Sequence, residues 1–157
     1  MSPIATLDPT QEADMPAVAP LTSSAVPRYD NQHHYSSNVR ILLDQARQAL
    51  LDAEYAAQPV DRYAKAHLAA LRAAAAVLAA RAQPRRRTQP ISVWALLARA
   101  APELKEWSAF FAATSATRAA AEAGVRRLVT TRDADDLVRQ ASEFLRLAQL
   151  AATRASR

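Results

Sequence analysis

Thirty-nine of the 157 residues are alanine, and a single residue, Gly124, is glycine. That pairing limits the fold more than any motif does. Alanine is the strongest helix former, and the β-branched residues that sheets favour are few here. The chain is therefore expected to be all-α. Alanine also buries little apolar area, so a hydrophobic fraction of 50% overstates the core. One glycine cannot build a P-loop or a dinucleotide-binding loop, both of which need several. The chain has no cysteine, which excludes disulfides, thiolate metal sites and thiol catalysis. With three histidines there is little material for a metal cage, and no metal or other cofactor is expected.

The first 35 residues differ from the rest. Five of the nine prolines fall there: Pro3, Pro9, Pro16, Pro20 and Pro27. Large apolar residues are sparse and without period, so residues 1–35 are expected to form a disordered, Pro-rich tail. Arg28 against Asp8, Glu12, Asp14 and Asp30 gives the tail a charge of −3. Residues 36–157 hold 19 basic and 11 acidic residues, a charge of +8. The N-terminus lacks a basic start and an apolar run, so no secretory signal is expected. The longest uncharged stretch after the tail, Thr88 to Ala98, is too short to span a membrane. The sequence reads as cytoplasmic.

From Ser36 the pattern becomes helical. Val39, Leu42, Leu43, Ala46, Ala49, Leu50 and Ala53 recur at three and four, with Ser36 or Ser37 as N-cap. A second helix is predicted from about Val60 to Ala82, with Val60, Tyr63, His67, Leu71, Ala74 and Leu78 on one stripe that Ala64, Leu68, Ala75 and Val77 widen. Pro84 to Pro90 interrupts it. Ser92 caps a short third helix, Val93 to Ala101. Pro102 suits the first turn of a fourth, which carries Leu104, Trp107, Phe110 and Phe111 and stops at Gly124. A fifth begins near Asp133, with Leu137, Ala141, Phe144, Leu145, Ala148 and Ala152 inward. The expectation is an antiparallel up-and-down bundle of four main helices plus one short helix over residues 36–157. Its thin core suggests a homodimer, because pairing would bury more surface.

Arginine outnumbers lysine 18 to 2. Guanidinium forks match phosphate oxygens, so clustered arginines suit a nucleic acid. Arg85, Arg86 and Arg87 form one cluster in the Pro-flanked segment, and Arg126, Arg127 and Arg132 form a second. Were the loops after the second and fourth helices at one end of the bundle, the clusters would merge. Neither a helix-turn-helix nor a long basic helix is evident for reading DNA.

Arg62 and His67 are the one pair with catalytic potential. Four residues separate them, so they lie 140° apart on a helix. In metal-free RNA cleavage the His would take the 2′-hydroxyl proton, the Arg would stabilise the phosphorane charge, and Lys65 would add an electrostatic contact. Otherwise His67 is a core member of its helix. His33 and His34 precede the first helix without a partner in sequence.

The string from Ala66 through Arg81, the Arg-rich segment, Ser92-Val93-Trp94-Ala95-Leu96-Leu97-Ala98-Arg99 and Ala101-Pro102-Glu103-Leu104-Lys105-Glu106-Trp107 resembles an actinobacterial family of the HEPN superfamily. The resemblance covers roughly residues 36–152. It implies an antiparallel helical bundle, often dimeric, with RNA-related roles. Many such proteins are metal-independent ribonucleases whose motif is an Arg, four to six residues, then a His; others are inactive binding modules. Arg62 and His67 match that spacing. Tyr63 stands where active members often carry a polar residue, and the pair opens the second helix rather than a later one. Two functions follow: an RNA-engaging HEPN-like domain that is an endoribonuclease if Arg62 and His67 meet, or a non-catalytic module that binds a protein partner.

Overall fold

The computed structural model describes residues 31–81 and 91–157, with side chains from Ser37 onward. The expected 1–35 tail and the Arg85-Arg86-Arg87 cluster lie outside the described residues, apart from the first turn of the first helix. Among the described residues there are five α-helices: α1 (Asn31–Tyr55), α2 (Pro59–Ala80), α3 (Val93–Ala100), α4 (Lys105–Glu122) and α5 (Thr131–Ala155). Two 3-10 turns, Pro102–Leu104 and Arg126–Leu128, precede α4 and α5. No strand occurs among the described residues.

The helix ends show how the local chemistry works. Ser92 caps α3 as expected, its hydroxyl accepting from Ala95 N at 3.1 Å. The stop after α4 is a Schellman motif. Gly124 has φ +86, its N–H bonds Ala121 O at 3.1 Å, and Val125 N–H bonds Ala120 O at 3.0 Å. Three helix starts differ from expectation by more than one residue. α1 starts at Asn31, ahead of Ser36 and Ser37, because no proline or glycine between Asn31 and Tyr55 opposes a helix. Pro102 opens a 3-10 turn rather than α4 itself. α5 begins two residues before Asp133, which instead completes a capping box with Thr130.

α2 is the central helix, packed against α1, α3, α4 and α5. Its buried set is Val60, Tyr63, Ala66, His67, Ala69, Ala70, Ala73, Ala74, Ala76 and Val77. The alanine stretch therefore faces inward on several sides, while Leu68, Leu71 and Leu78 are only half-buried. This corrects the stripe expected from periodicity, which puts Leu71 and Leu78 inward and gives Ala66, Ala69, Ala70, Ala73 and Ala76 no place. A helix surrounded by neighbours must be thin, and methyl side chains let the others approach closely.

Bulk in the core comes from a separate aromatic cluster. Trp94 stacks on Phe111 with ring centroids 5.1 Å apart, and Phe111 meets Phe144 at 5.2 Å and Trp107 at 6.2 Å. Phe110, expected in the core, is 39% exposed instead. It leaves the helix on the neighbouring row and touches Phe111 only edge-on.

Register along α2 fixes the helix directions. Arg62 pairs with Asp135 at the start of α5, so α2 and α5 run the same way. His67 meets Phe111 and Arg81 meets Glu103, so α4 runs against α2. With eight residues, α3 spans about 12 Å and does not cross the bundle. The end of α2 and the end of α4 therefore lie at opposite ends. The merging of the two arginine clusters assumed that α3 makes a full pass, and it does not.

Candidate functional site

Arg62 sits in the first turns of α2, which Pro59 opens at the first helical position. Its guanidinium is committed on three sides. Nε and Nη2 donate to the carbonyl of Ala56 at 3.3 and 3.0 Å, just past the end of α1. Nη1 pairs with Asp135. One side chain thus ties the end of α1 to the starts of α2 and α5. The fork geometry suits this role, because it satisfies a carbonyl and a carboxylate at once. Glu54, Val138 and Arg139 line a shallow depression beside the pair.

His67 points elsewhere. It is 0% exposed, between Trp94 and Phe111, each meeting it edge-on at 5.7 Å. Its Nε2 lies 3.1 Å from the Phe111 carbonyl oxygen. A carbonyl only accepts, so Nε2 carries the proton of the neutral ring. That oxygen also accepts from Thr114 Oγ1 and Ser115 Oγ, both at 3.0 Å. Burial pushes the imidazole below its ordinary range; the Phe111 carbonyl opposes that shift, Arg118 adds to it and Glu122 counters it. The ring is a neutral strut between α2 and α4.

The structure does not bring Arg62 and His67 together. Arg62 faces the α1–α5 seam, and His67 faces α3 and α4. Lys65 is exposed on α2, one turn after Arg62. The sequence carries no sign that Arg62 pairs with Asp135. The partners are 73 residues apart, and no local signal links them. The same holds for His67 and Phe111, 44 residues apart.

The described part of the basic set lies at the end of the bundle where α4 stops and α5 starts. Arg126 and Arg127 are exposed on the second 3-10 turn, between exposed Val125 and Leu128. The Arg132 side chain is 91% exposed, with Nε 3.9 Å from Asp136, which also pairs with Arg139. Beside them runs a groove of about 560 Å³ between α4 and α5. Tyr63, Phe110, Leu128 and Leu137 supply its apolar walls, and Thr114, Thr117 and Gln140 its neutral polar groups. Burial raises the Tyr63 hydroxyl above the usual phenol range, against the hydrogen bonds of Thr117 and Thr114, which lower it. Asp133 and Asp136 complete the lining. Asp133 accepts from Thr130 N at 2.9 Å and Thr130 Oγ1 at 2.7 Å, which holds its carboxyl below the usual carboxylate range.

The family model described as SAV_6107-like HEPN matches residues 53–155. The chain belongs to this HEPN family. The match starts in the last turn of α1 and takes in α2 through α5, so it contains Arg62, His67 and the groove. Neither a curated protein nor a solved structure matches the chain. Among the described residues of this HEPN domain, no group of three His, Asp or Glu converges as metal ligands. No described helix is long and apolar enough to cross a membrane.

Proposed function

We propose that this HEPN domain is a non-catalytic interaction module whose recognition face is the end formed by the second 3-10 turn and the α4–α5 groove. One observation carries the reading: His67 is wholly enclosed and spends its ring N–H on a main-chain carbonyl. A general base must reach the proton it removes. A second subunit cannot supply that proton without opening the Trp94–Phe111 cluster. Arg62 is likewise engaged by Ala56 and Asp135, so the Arg–x4–His spacing here serves the architecture.

The test is incubation of the purified chain with mixed single-stranded and structured RNA in EDTA, beside the His67→Gln variant. Intact RNA in both samples is the expected result. Cyclic-phosphate ends from the parent alone would overturn the reading.

RNA engagement without cleavage is the second reading. Exposed Arg126, Arg127 and Arg132 within one short span favour it, because neighbouring cations gain most from a polyanion. Retention of a labelled RNA by the parent chain, and its release with rising salt, tests this form. The homodimer belongs to the same proposal. It is supported by half-exposed Ile41 and Leu51 on α1, and light scattering tests it.

A further inference from the structure

We propose that the α4–α5 groove is the docking site for an acidic, apolar stretch of this chain's own N-terminal region, residues 4–15. The inference rests on the reading of this end as the recognition face, and it names that face's resident partner.

The groove selects for chemistry of this kind. Phe110 and Leu128, two large apolar side chains that line the groove, stand 39% and 56% exposed. Its two carboxylates are already satisfied: Asp133 by Thr130, and Asp136 by Arg139 and Arg132. Arg126 and Arg127, just before Leu128, have no ion-pair partner among the described residues. An occupant must therefore offer apolar side chains to Phe110 and Leu128 and carboxylates to Arg126 and Arg127.

Residues 4–15 offer both. Ile4, Leu7 and Met15 are apolar, Asp8, Glu12 and Asp14 are acidic, and no basic residue precedes Arg28. The opposite charges of the tail (−3) and of residues 36–157 (+8) draw the two together. Reach is sufficient. α1 begins at the end of the bundle away from the groove, and its 25 residues separate the two by about 37 Å. The sixteen residues from Met15 to Asn31 span up to about 53 Å when extended. Tethering raises the effective concentration to the millimolar range, so a weak intrinsic contact is enough to populate the docked state. A docked tail would compete with any acidic partner for the same arginines.

The experiment uses the full chain, in which the absence of native cysteine makes a single label unambiguous. A nitroxide is attached at Ala13→Cys and the amide signals of the bundle are read. Selective broadening of Thr117, Leu128 and Gln140, with Arg99 and Arg154 unaffected, is expected. That broadening should vanish when Asp8, Glu12 and Asp14 are all replaced by Lys, changes outside the described residues. Groove signals no broader than those of Arg99 and Arg154 would overturn the proposal. So would broadening that survives the charge reversal, or broadening seen only between a labelled chain and a separate unlabelled one. The label reads contact within the molecule and no outside partner, so its failure leaves the recognition reading to the RNA-retention test.

Discussion

The Nε2 of His67 lies 3.1 Å from the carbonyl oxygen of Phe111, in a pocket closed by Trp94. That bond joins the central helix to α4 at the level of the aromatic cluster. It makes the histidine a packing residue whose removal should be felt as instability. His67→Ala leaves a cavity and strands part of the aromatic cluster. A loss of about 2–4 kcal/mol is expected from urea unfolding. A change within about 0.5 kcal/mol would place the ring outside the packed core.

Acid should weaken the fold in two stages. Burial lowers the His67 pKa in the folded chain relative to about 6.5 when unfolded. Below 6.5 the unfolded chain therefore binds more protons, and stability falls as the pH drops toward the folded value. The carboxyls of Glu103, Asp133 and Glu143 are held low by Arg81, Thr130 and Arg146, so their contribution is present above about pH 4.5 and is lost only in stronger acid. Urea midpoints between pH 7.5 and about pH 5 should fall for the parent and stay flatter for His67→Gln. Parallel slopes would assign the effect to other groups.

Arg62 should matter for stability through its fork. Arg62→Lys keeps the charge but cannot serve Ala56 and Asp135 together, and a loss of about 1–2 kcal/mol is expected. The pair with Asp135 is partly exposed, with side-chain accessibilities of 24% and 45%, so its own share is modest. A double-mutant cycle with Asp135→Asn should give a coupling below about 1 kcal/mol, with most of the Arg62 effect remaining. Full loss on Asp135→Asn alone would shift the weight to the ion pair.

Gly124 should resist substitution for a backbone reason alone. No atom lies within 4 Å of a Cβ built there, yet φ is +86. Gly124→Ala is expected to cost about 1 kcal/mol by thermal or urea unfolding. A neutral result would show that the α4 terminus relaxes without its Schellman turn.

Much of the fold was legible because local chemistry wrote it. Ser92 marks the start of α3, and Gly124 marks the stop after α4. The inward row of α5, from Leu137 to Ala152, is buried as its period requires. The inward placement of the α2 alanines was harder to read. Periodicity weights large residues, and here the most central helix is lined by the smallest. The direction of α4 also escaped, because a helix of eight residues counts as one element in a pattern yet does not cross the bundle.

The candidate site was legible only as spacing. Arg62 and His67 stand where an Arg–x4–His motif places them, and sequence alone leaves their partners open. Ala56, Asp135 and Phe111 become partners only once the chain has folded, and those contacts separate a structural pair from a reacting one. The groove is similarly built from α2, α4, the second 3-10 turn and α5, four segments with no shared sequence signature.

The most direct measurement is the imidazole ¹⁵N spectrum of His67 across pH, with and without RNA. A neutral ring protonated at Nε2, titrating below 6.5 and unmoved by RNA, is the expected result. A ring that titrates near 6.5 and shifts when RNA is added would contradict the structural role of His67 and restore it as a reacting group.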